Sequence, residues 1–191
     1  MPDCFIIMPI TTPQHLLELY DNDANHFEHI LSYLFIPAIK QAGYNPILPT
    51  RKGSENIQAE IIKNLEIADM VFCDISCYNP NVYFELGCRT ALNKPVCYVK
   101  DDLTSSIPFD TGTITHHTYK SKLHPWVIEK EIPTLKNHFM ESVQSSKGEN
   151  SLWKYFGLRN VAKPYLSNGN DDSKIDLIII PAIKCYPFHA A

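Results

Sequence analysis

The chain has 191 residues, a formal net charge of −4, and 45% hydrophobic and 11% aromatic residues. This composition supports a packed core and excludes a disordered chain, and its acidic balance argues against a nucleic-acid partner. The longest apolar run, residues 177–183, is much shorter than the about 20 residues of a membrane-spanning helix, so we expect no membrane partner. The N-terminus lacks the basic region of a signal peptide, which favours a cytoplasmic location.

Short apolar runs alternate with helical patterns along the chain. Strands are predicted at residues 5–8, 44–48, 70–73, 95–99 and 113–119. Helices are predicted at residues 25–42, with Pro37 as a possible kink, and at 55–67, 81–92 and 125–143. We therefore predict an α/β fold of the flavodoxin-like or Rossmann-like type. Its three layers would be a parallel sheet of about five strands with helices on both faces.

Polar stretches at residues 145–150 and 167–173 set the end of the chain apart from this alternation. We predict an α/β domain over residues 1–147 and a C-terminal extension over residues 148–191, to which the sequence assigns no role.

Cysteine and histidine positions do not suggest a metal centre. The six cysteines include no C-x-x-C motif, and most lie in apolar runs, where a free thiol behaves as a small hydrophobic group. His26 and His29 could share a helix face, but no carboxylate–histidine signature completes a site. We expect buried free thiols, no metal and no cofactor.

Chemistry-bearing residues concentrate after the third predicted strand. Parallel α/β sheets bind ligands beyond the carboxyl ends of their strands, and Asp74 lies at such an end. Asn79 and Pro80 suit the N-cap and first position of the next helix, whose free amides would bind a phosphate or carboxylate. Glu85 follows about one turn later beside Tyr83, in surroundings suited to a nucleophile or a general acid/base.

Each of these residues also has a purely structural interpretation. Glu85 and Arg89 have the i, i+4 spacing of a surface ion pair. Asp74 can be a turn-former after the strand, and Asn79 can be only a helix cap.

The stretch Asn79–Gly87, with Phe5–Pro9 and Pro108–Asp110, resembles the nucleoside 2-deoxyribosyltransferase-like superfamily over about residues 4–119. The similarity is greatest to its bacterial group with an N-terminal F-I-I-M-P strand. In that superfamily the glutamate of the Glu-Leu-Gly motif attacks the anomeric carbon of a ribose or deoxyribose and releases the base. The matching residue is Glu85. At fold level the superfamily is also similar to TIR-type NAD glycohydrolases, which depend on one glutamate.

The chain departs from the family pattern at several positions. Asn79 stands where the deoxyribosyltransferases have an acid and related deoxynucleotide hydrolases a serine, and it cannot act as a base. Glu60 is the available match for the acid near the nucleobase, and the early loop at residues 11–25 is long and polar. The resemblance therefore leaves the substrate open.

The leading hypothesis is cleavage or transfer of an N-glycosidic bond in a nucleoside, nucleotide or NAD-like molecule. Glu85 would attack or stabilise C1′, by the logic of glycoside hydrolysis, and Asp74 would orient a sugar hydroxyl or protonate the leaving base. The candidate substrate-binding residues are Ser76, Asn79, Asn81, Tyr83 and Arg51.

Two other interpretations stay open. One is a non-catalytic nucleotide-binding sensor module in a stress or antiviral signalling system. The other is an interaction domain in which Glu85 and Arg89 form an exposed pair. Because members of the superfamily commonly complete their sites with a neighbouring subunit, the resemblance also implies a homo-oligomer.

Overall fold

The structure of the protein, a computed structural model, describes residues 1–48, 57–105 and 115–156. The strands of the described chain are β1 (Asp3–Ile7), β2 (Asn45–Ile47), β3 (Met70–Asp74), β4 (Val96–Asp101) and β5 (His116–Tyr119). The α-helices there are α1 (His26–Ile30), α2 (Ile36–Gln41), α3 (Ile57–Ile67), α4 (Pro80–Ala91), α5 (Pro125–Ser146) and α6 (Ser151–Phe156). Within these ranges no helix combines the length and apolar character needed to span a membrane.

All five strands pair in parallel, in the order β2-β1-β3-β4-β5. This is the flavodoxin-like order, in which the chain reverses its direction across the sheet between β1 and β3. The arrangement confirms the predicted α/β fold with a five-stranded parallel sheet.

The alternation of side chains along each strand supplies two apolar cores. In β1, Cys4 and Ile6 face the layer of α1, α2 and α5, while Phe5 and Ile7 face the layer of α3 and α4. All four residues are at most 1% exposed, because helices cover the sheet on both faces. The predicted three layers are therefore present.

A π-helical turn, Leu31–Phe35, interrupts the helix predicted at residues 25–42. Pro37 lacks an amide hydrogen, and in a regular α-helix its ring would collide with the carbonyl group of Tyr33. The Ile36 amide donates to the Leu31 carbonyl, one residue further back than in an α-helix. This wider turn accommodates the proline within a continuous helical segment.

The loop predicted after β1 contains a 3-10 helix, Gln14–Tyr20. Its last residue, Tyr20, is 3% exposed and packs into the core on the α1 side. The thiols of Cys4, Cys73 and Cys97 are free and buried, as predicted.

Residues 150–153 pack against the end of α4, within the segment predicted as an extension. The Asn150 amide donates to Asn93 Oδ1 at 3.0 Å, and its side-chain amide donates to the Lys94 carbonyl at 3.1 Å. Trp153 Nε1 donates to the Thr90 carbonyl. The α/β unit therefore has contacts beyond Lys147, whereas residues 157–191 lie outside the described chain.

Arg89 is a fully buried cation that joins two helices to the sheet. Its guanidinium donates to the carbonyl groups of Leu65 at 2.6 Å, Pro95 at 3.2 Å and Asp69 at 3.4 Å. Burial lowers the pKa of Arg89 to about 10, so the side chain stays charged near neutral pH. It thereby connects the last turn of α3 with the segments that enter β3 and β4.

Replacing Arg89 with leucine should destabilise the protein strongly, because the buried carbonyl groups of Leu65 and Pro95 and the partly buried carbonyl of Asp69 lose their donor. We expect the free energy of unfolding in urea to fall by about 3 kcal/mol or more. The matched control is Lys130→Leu, which removes an exposed cation from α5 and should change stability by less than about 0.5 kcal/mol. Equal stability of Arg89→Leu and the wild type would show that these hydrogen bonds contribute nothing net.

Candidate functional site

The carboxyl edge of the sheet carries the acids singled out from the sequence. Asp74 is the last residue of β3, and Glu85 lies in the first half of α4, the helix that follows this edge. The edge includes the reversal point between β1 and β3, where flavodoxin-like sheets bind their ligands.

Asp74 has no exposed surface, and both of its carboxylate oxygens accept hydrogen bonds. Oδ1 accepts from the Ser76 hydroxyl at 2.5 Å and the Ser76 amide at 3.1 Å, and Oδ2 accepts from the Tyr119 hydroxyl at 2.8 Å. Burial, with a smaller contribution from the nearby charge of Asp101, raises the pKa of Asp74 to about 7 against the opposing effect of these hydrogen bonds. The side chain therefore titrates near neutral pH.

A second buried carboxylate, Asp101 at the end of β4, continues these contacts. The Asp101 amide donates to Ser76 Oγ at 2.8 Å, and Asp101 Oδ2 accepts from the Tyr20 hydroxyl at 2.5 Å. We call the set Asp74, Ser76, Tyr119, Asp101 and Tyr20 the edge network. It joins the ends of β3, β4 and β5 to the 3-10 helix after β1.

Three members of the edge network, Asp101, Tyr119 and Tyr20, were missed in the sequence. Asp101 and Tyr119 each end a strand, so the rule that selected Asp74 would have selected them as well. Tyr20 gave no comparable signal, because it ends a short 3-10 helix rather than a periodic element.

Two consecutive non-glycine residues have left-handed backbone conformations between Ser76 and Asn79. Cys77 has φ +57° and Tyr78 has φ +51°, conformations that cost of order 1 kcal/mol or more each. The Cys77 amide donates to Thr104 Oγ1 at 3.1 Å, and its sulfur lies 3.0 Å from the Tyr20 hydroxyl. These contacts hold the turn that connects the edge network to α4.

Asn79 caps α4, in agreement with its structural interpretation. Its Oδ1 accepts from the amides of Asn81 at 3.0 Å and Val82 at 3.4 Å, and Pro80 occupies the first helical position. The expectation that these amides are free for a phosphate was wrong, because they already donate to the Asn79 side chain.

Glu85 carries a half-buried carboxyl group, and no cation of the described residues forms an ion pair with it. Burial raises its pKa to about 7. Across the described residues it makes no hydrogen bond and no ion pair. Arg89, its possible partner at i+4, instead donates to the carbonyl groups of Leu65, Pro95 and Asp69, so the alternative of an exposed Glu85–Arg89 pair is wrong.

The sheet separates the two predicted catalytic acids. Asp74 is in phase along β3 with Phe72, which faces the α1, α2 and α5 layer. Cys73 faces the other layer, where α4 packs through Val82, and the charge of Glu85 contributes to the raised pKa of Cys73 after burial and Asp74. Asp74 and Glu85 therefore share one edge of the sheet but lie on opposite faces.

The remaining candidate residues are distributed around the turn before α4. Ser76 is fully buried in the edge network, Tyr83 is half-buried, and Asn81 is exposed. Burial is the main cause that raises the pKa of Tyr83 to about 12. Arg51 lies outside the described residues. Over the described chain, no cluster of three or more His, Cys, Asp and Glu side chains is arranged to hold a metal ion.

The described residues define a flavodoxin-like α/β protein with a half-buried acid and a buried polar network at one edge of its sheet. No protein-family model and no curated protein matches the chain. Among solved structures it is similar to a 2-deoxyribosyltransferase from the psychrotolerant bacterium Bacillus psychrosaccharolyticus, with 17% sequence identity and a TM-score of 0.42. The match covers 74% of this chain and 95% of that one, and we draw no functional conclusion from it.

Asp74→Asn should weaken the pH dependence of stability. A folded-state pKa of about 7, above the unfolded value of about 3.9, gives stability that is present at low pH and lost as the pH rises through about 7. Between about pH 4 and pH 7 the free energy of unfolding of the wild type should therefore fall by up to about 1.4 kcal/mol per pH unit because of Asp74, and the variant should lack this contribution. The measurement is the free energy of urea unfolding against pH, with the exposed Asp21→Asn as control. An unchanged slope in Asp74→Asn would contradict the assignment.

Proposed function

We propose that the protein cleaves or transfers the N-glycosidic bond of a nucleoside, nucleotide or NAD-like molecule, with Glu85 as the nucleophile. The observation that carries the proposal is the state of Glu85: half-buried, with a pKa raised to about 7 and no ion pair or hydrogen bond within the described chain. Keeping a carboxyl group in this condition costs stability, which is typical of functional sites. The resemblance of Asn79–Gly87 to the nucleoside 2-deoxyribosyltransferase-like superfamily supports the same role.

The proposed reaction proceeds in two displacements. A Glu85 carboxylate oxygen bonds to C1′ while the C1′–N bond breaks, and the bonding pair leaves with the base, which takes up a proton. Water or a second base then attacks C1′, and the ester bond to Glu85 breaks. Water gives hydrolysis, and a second base gives transfer.

Asp74 has a positioning role in this proposal. It has no exposed atoms, so it acts through Ser76 and Tyr119 on the turn that leads to α4. Tyr83, which is half-buried in α4, is a proposed substrate-binding residue on the strength of its place in the sequence. Asn81 and Arg51 are proposed substrate-binding residues on the strength of their places in the sequence.

The separation of Asp74 from Glu85 favours a second candidate, a nucleotide-binding sensor without turnover. Such a module needs no proton donor for a leaving base, and no charged group of the described residues contributes to the raised pKa of Glu85. In the catalytic alternative, the proton donor comes from a neighbouring subunit of a homo-oligomer or from residues outside the described ranges. Light scattering that shows a monomer would exclude the neighbouring subunit as the source.

Glu85→Gln should abolish base release, because an amide cannot form the glycosyl ester. The protein is incubated with NAD, deoxynucleosides and deoxynucleoside monophosphates, and free base is measured by chromatography. We expect release to fall by about 1,000-fold or more. The control Glu129→Gln makes the same change at an exposed position of α5 and should keep full activity. Binding without release by the wild type would favour the sensor, and release that survives in Glu85→Gln would refute the role of Glu85.

The rate should rise with pH through about 7, because Glu85 attacks as the carboxylate. The measurement is kcat/KM for a cleaved substrate from about pH 5.5 to about pH 8.5. Asp74→Asn should keep this rise, since Asp74 does not attack. A rate that falls with pH over this range would contradict a carboxylate nucleophile, and loss of the rise in Asp74→Asn would assign the titration to Asp74.

A further inference from the structure

The side of α4 that faces away from the sheet contains no charged residue. The exposed residues of this helix, which we call the outer face of α4, are Pro80, Asn81, Phe84, Gly87 and Ala91. A surface helix ordinarily carries charged side chains on its outward face, and α5 follows this rule with exposed residues such as Glu129 and Lys130. The outer face of α4 is therefore typical of a surface that packs against another segment.

Phe84 and Gly87 give the outer face of α4 a shape that suits a packed segment. The Phe84 side chain is 66% exposed. One turn later, a Cβ atom added at Gly87 would meet no other atom within 4 Å, so the space above the helix backbone is open. A chain segment can therefore approach the backbone closely at Gly87 while its side chains pack against the ring of Phe84.

The chain itself runs from α5 to the side of the sheet on which α4 lies. α5 packs on the opposite face of the sheet, but the residues that follow α5 contact α4. The Asn150 side chain donates to the segment after α4, and Trp153 Nε1 donates to the Thr90 carbonyl in its last turn. The described chain ends at Phe156, about one helical turn beyond Trp153. The rest of the chain therefore starts near the C-terminal end of α4.

The sequence beyond Phe156 contains an apolar segment. Residues 177–183 read Leu-Ile-Ile-Ile-Pro-Ala-Ile and form the longest apolar run of the chain. An uncharged run of this composition tends to aggregate when it stays in water, so a covering surface favours its solubility. Residues 157–176 connect the segment to Phe156, and about 20 extended residues span about 60 Å. Since α4 is only about 18 Å long, the segment can reach any part of its outer face.

A second exposed apolar surface lies further along the molecule from α6. Trp126, which is 63% exposed, belongs to the first turn of α5, at the carboxyl edge of the sheet and on the face opposite to α4. Asn150 instead contacts Lys94, which precedes β4 at the amino edge. The path of the chain thus favours the outer face of α4, and Trp126 offers a control position of similar exposure.

We propose that residues 177–183 pack on the outer face of α4 of the same chain, against the ring of Phe84 and the backbone at Gly87. The apolar side chains of the segment displace water from an uncharged surface, and the burial of both surfaces drives the contact. The extension predicted over residues 148–191 is thereby an integral part of the α/β unit. This contact is independent of base release and of the proposed role of Glu85.

Photo-crosslinking of the full chain tests this contact. Phe84→p-benzoylphenylalanine places a photoreactive ring at an exposed position, so the variant should fold as the wild type does. After irradiation, mass spectrometry of the monomeric product should find position 84 joined to the peptide that contains residues 177–183. The matched control, Trp126→p-benzoylphenylalanine, has similar exposure and should not yield this product.

Two variants of the segment and an isotope mixture complete the test. In the Phe84→p-benzoylphenylalanine background, Ile179→Asp brings a carboxylate into the contact and should lower the crosslink yield about tenfold or more. Ser173→Asp adds the same charge outside the apolar segment and should keep the yield. Mixing isotope-labelled with unlabelled chains separates a contact within one chain from a contact between copies.

The crosslinking outcomes decide the proposal. It is overturned if position 84 forms no crosslink, joins only other parts of its own chain, or joins a second copy of the chain. It is also overturned if Ile179→Asp keeps the full yield, because the contact would then not depend on the apolar character of the segment.

Discussion

Asp74 is a buried carboxylate at the carboxyl edge of the sheet, and a buried carboxylate requires hydrogen bonds at both oxygens. Ser76 and Tyr119 supply them, from the turn after β3 and from the end of β5. Because Ser76 Oγ also accepts from the Asp101 amide, the same contacts fix the end of β4 between them. The edge network thus holds three strand ends in one arrangement, and it also fixes the start of the turn that leads into α4.

The edge network explains how two non-glycine residues keep left-handed backbone conformations in that turn. Cys77 and Tyr78 together store backbone strain of order 2 kcal/mol, and the turn would relax without contacts that oppose it. Thr104 and Tyr20 hold Cys77 from the segments after β4 and β1. The position of α4, and therefore of Glu85, depends on a network on the other face of the sheet.

The strands and the longer helices were predictable because burial imposes regular apolar patterns on the sequence. The 3-10 helix at Gln14–Tyr20 was not, since its short run has no α-helical period and its stability comes from the burial of Tyr20. The sheet edge that holds Asp74 and Glu85 was also predictable. Their separation followed from alternation along β3, because Cys73 and Asp74 must face opposite layers. Residues that converge at one edge of a sheet need not be in contact, because the sheet itself can lie between them.

The i, i+4 spacing of Glu85 and Arg89 shows where a local rule gives way to the tertiary structure. In an isolated helix the two would attract each other by a few tenths of a kcal/mol. In the fold, the carbonyl groups of Leu65 and Pro95 give Arg89 stronger buried contacts. The i, i+4 spacing does not predict these contacts, because the residues that provide them lie outside α4. Among the described residues, Glu85 consequently has no cation to lower its pKa, and burial raises its pKa to about 7. The contacts that stabilise α4 against α3 and the sheet thus remove the one cation that the sequence of α4 places within reach of its glutamate.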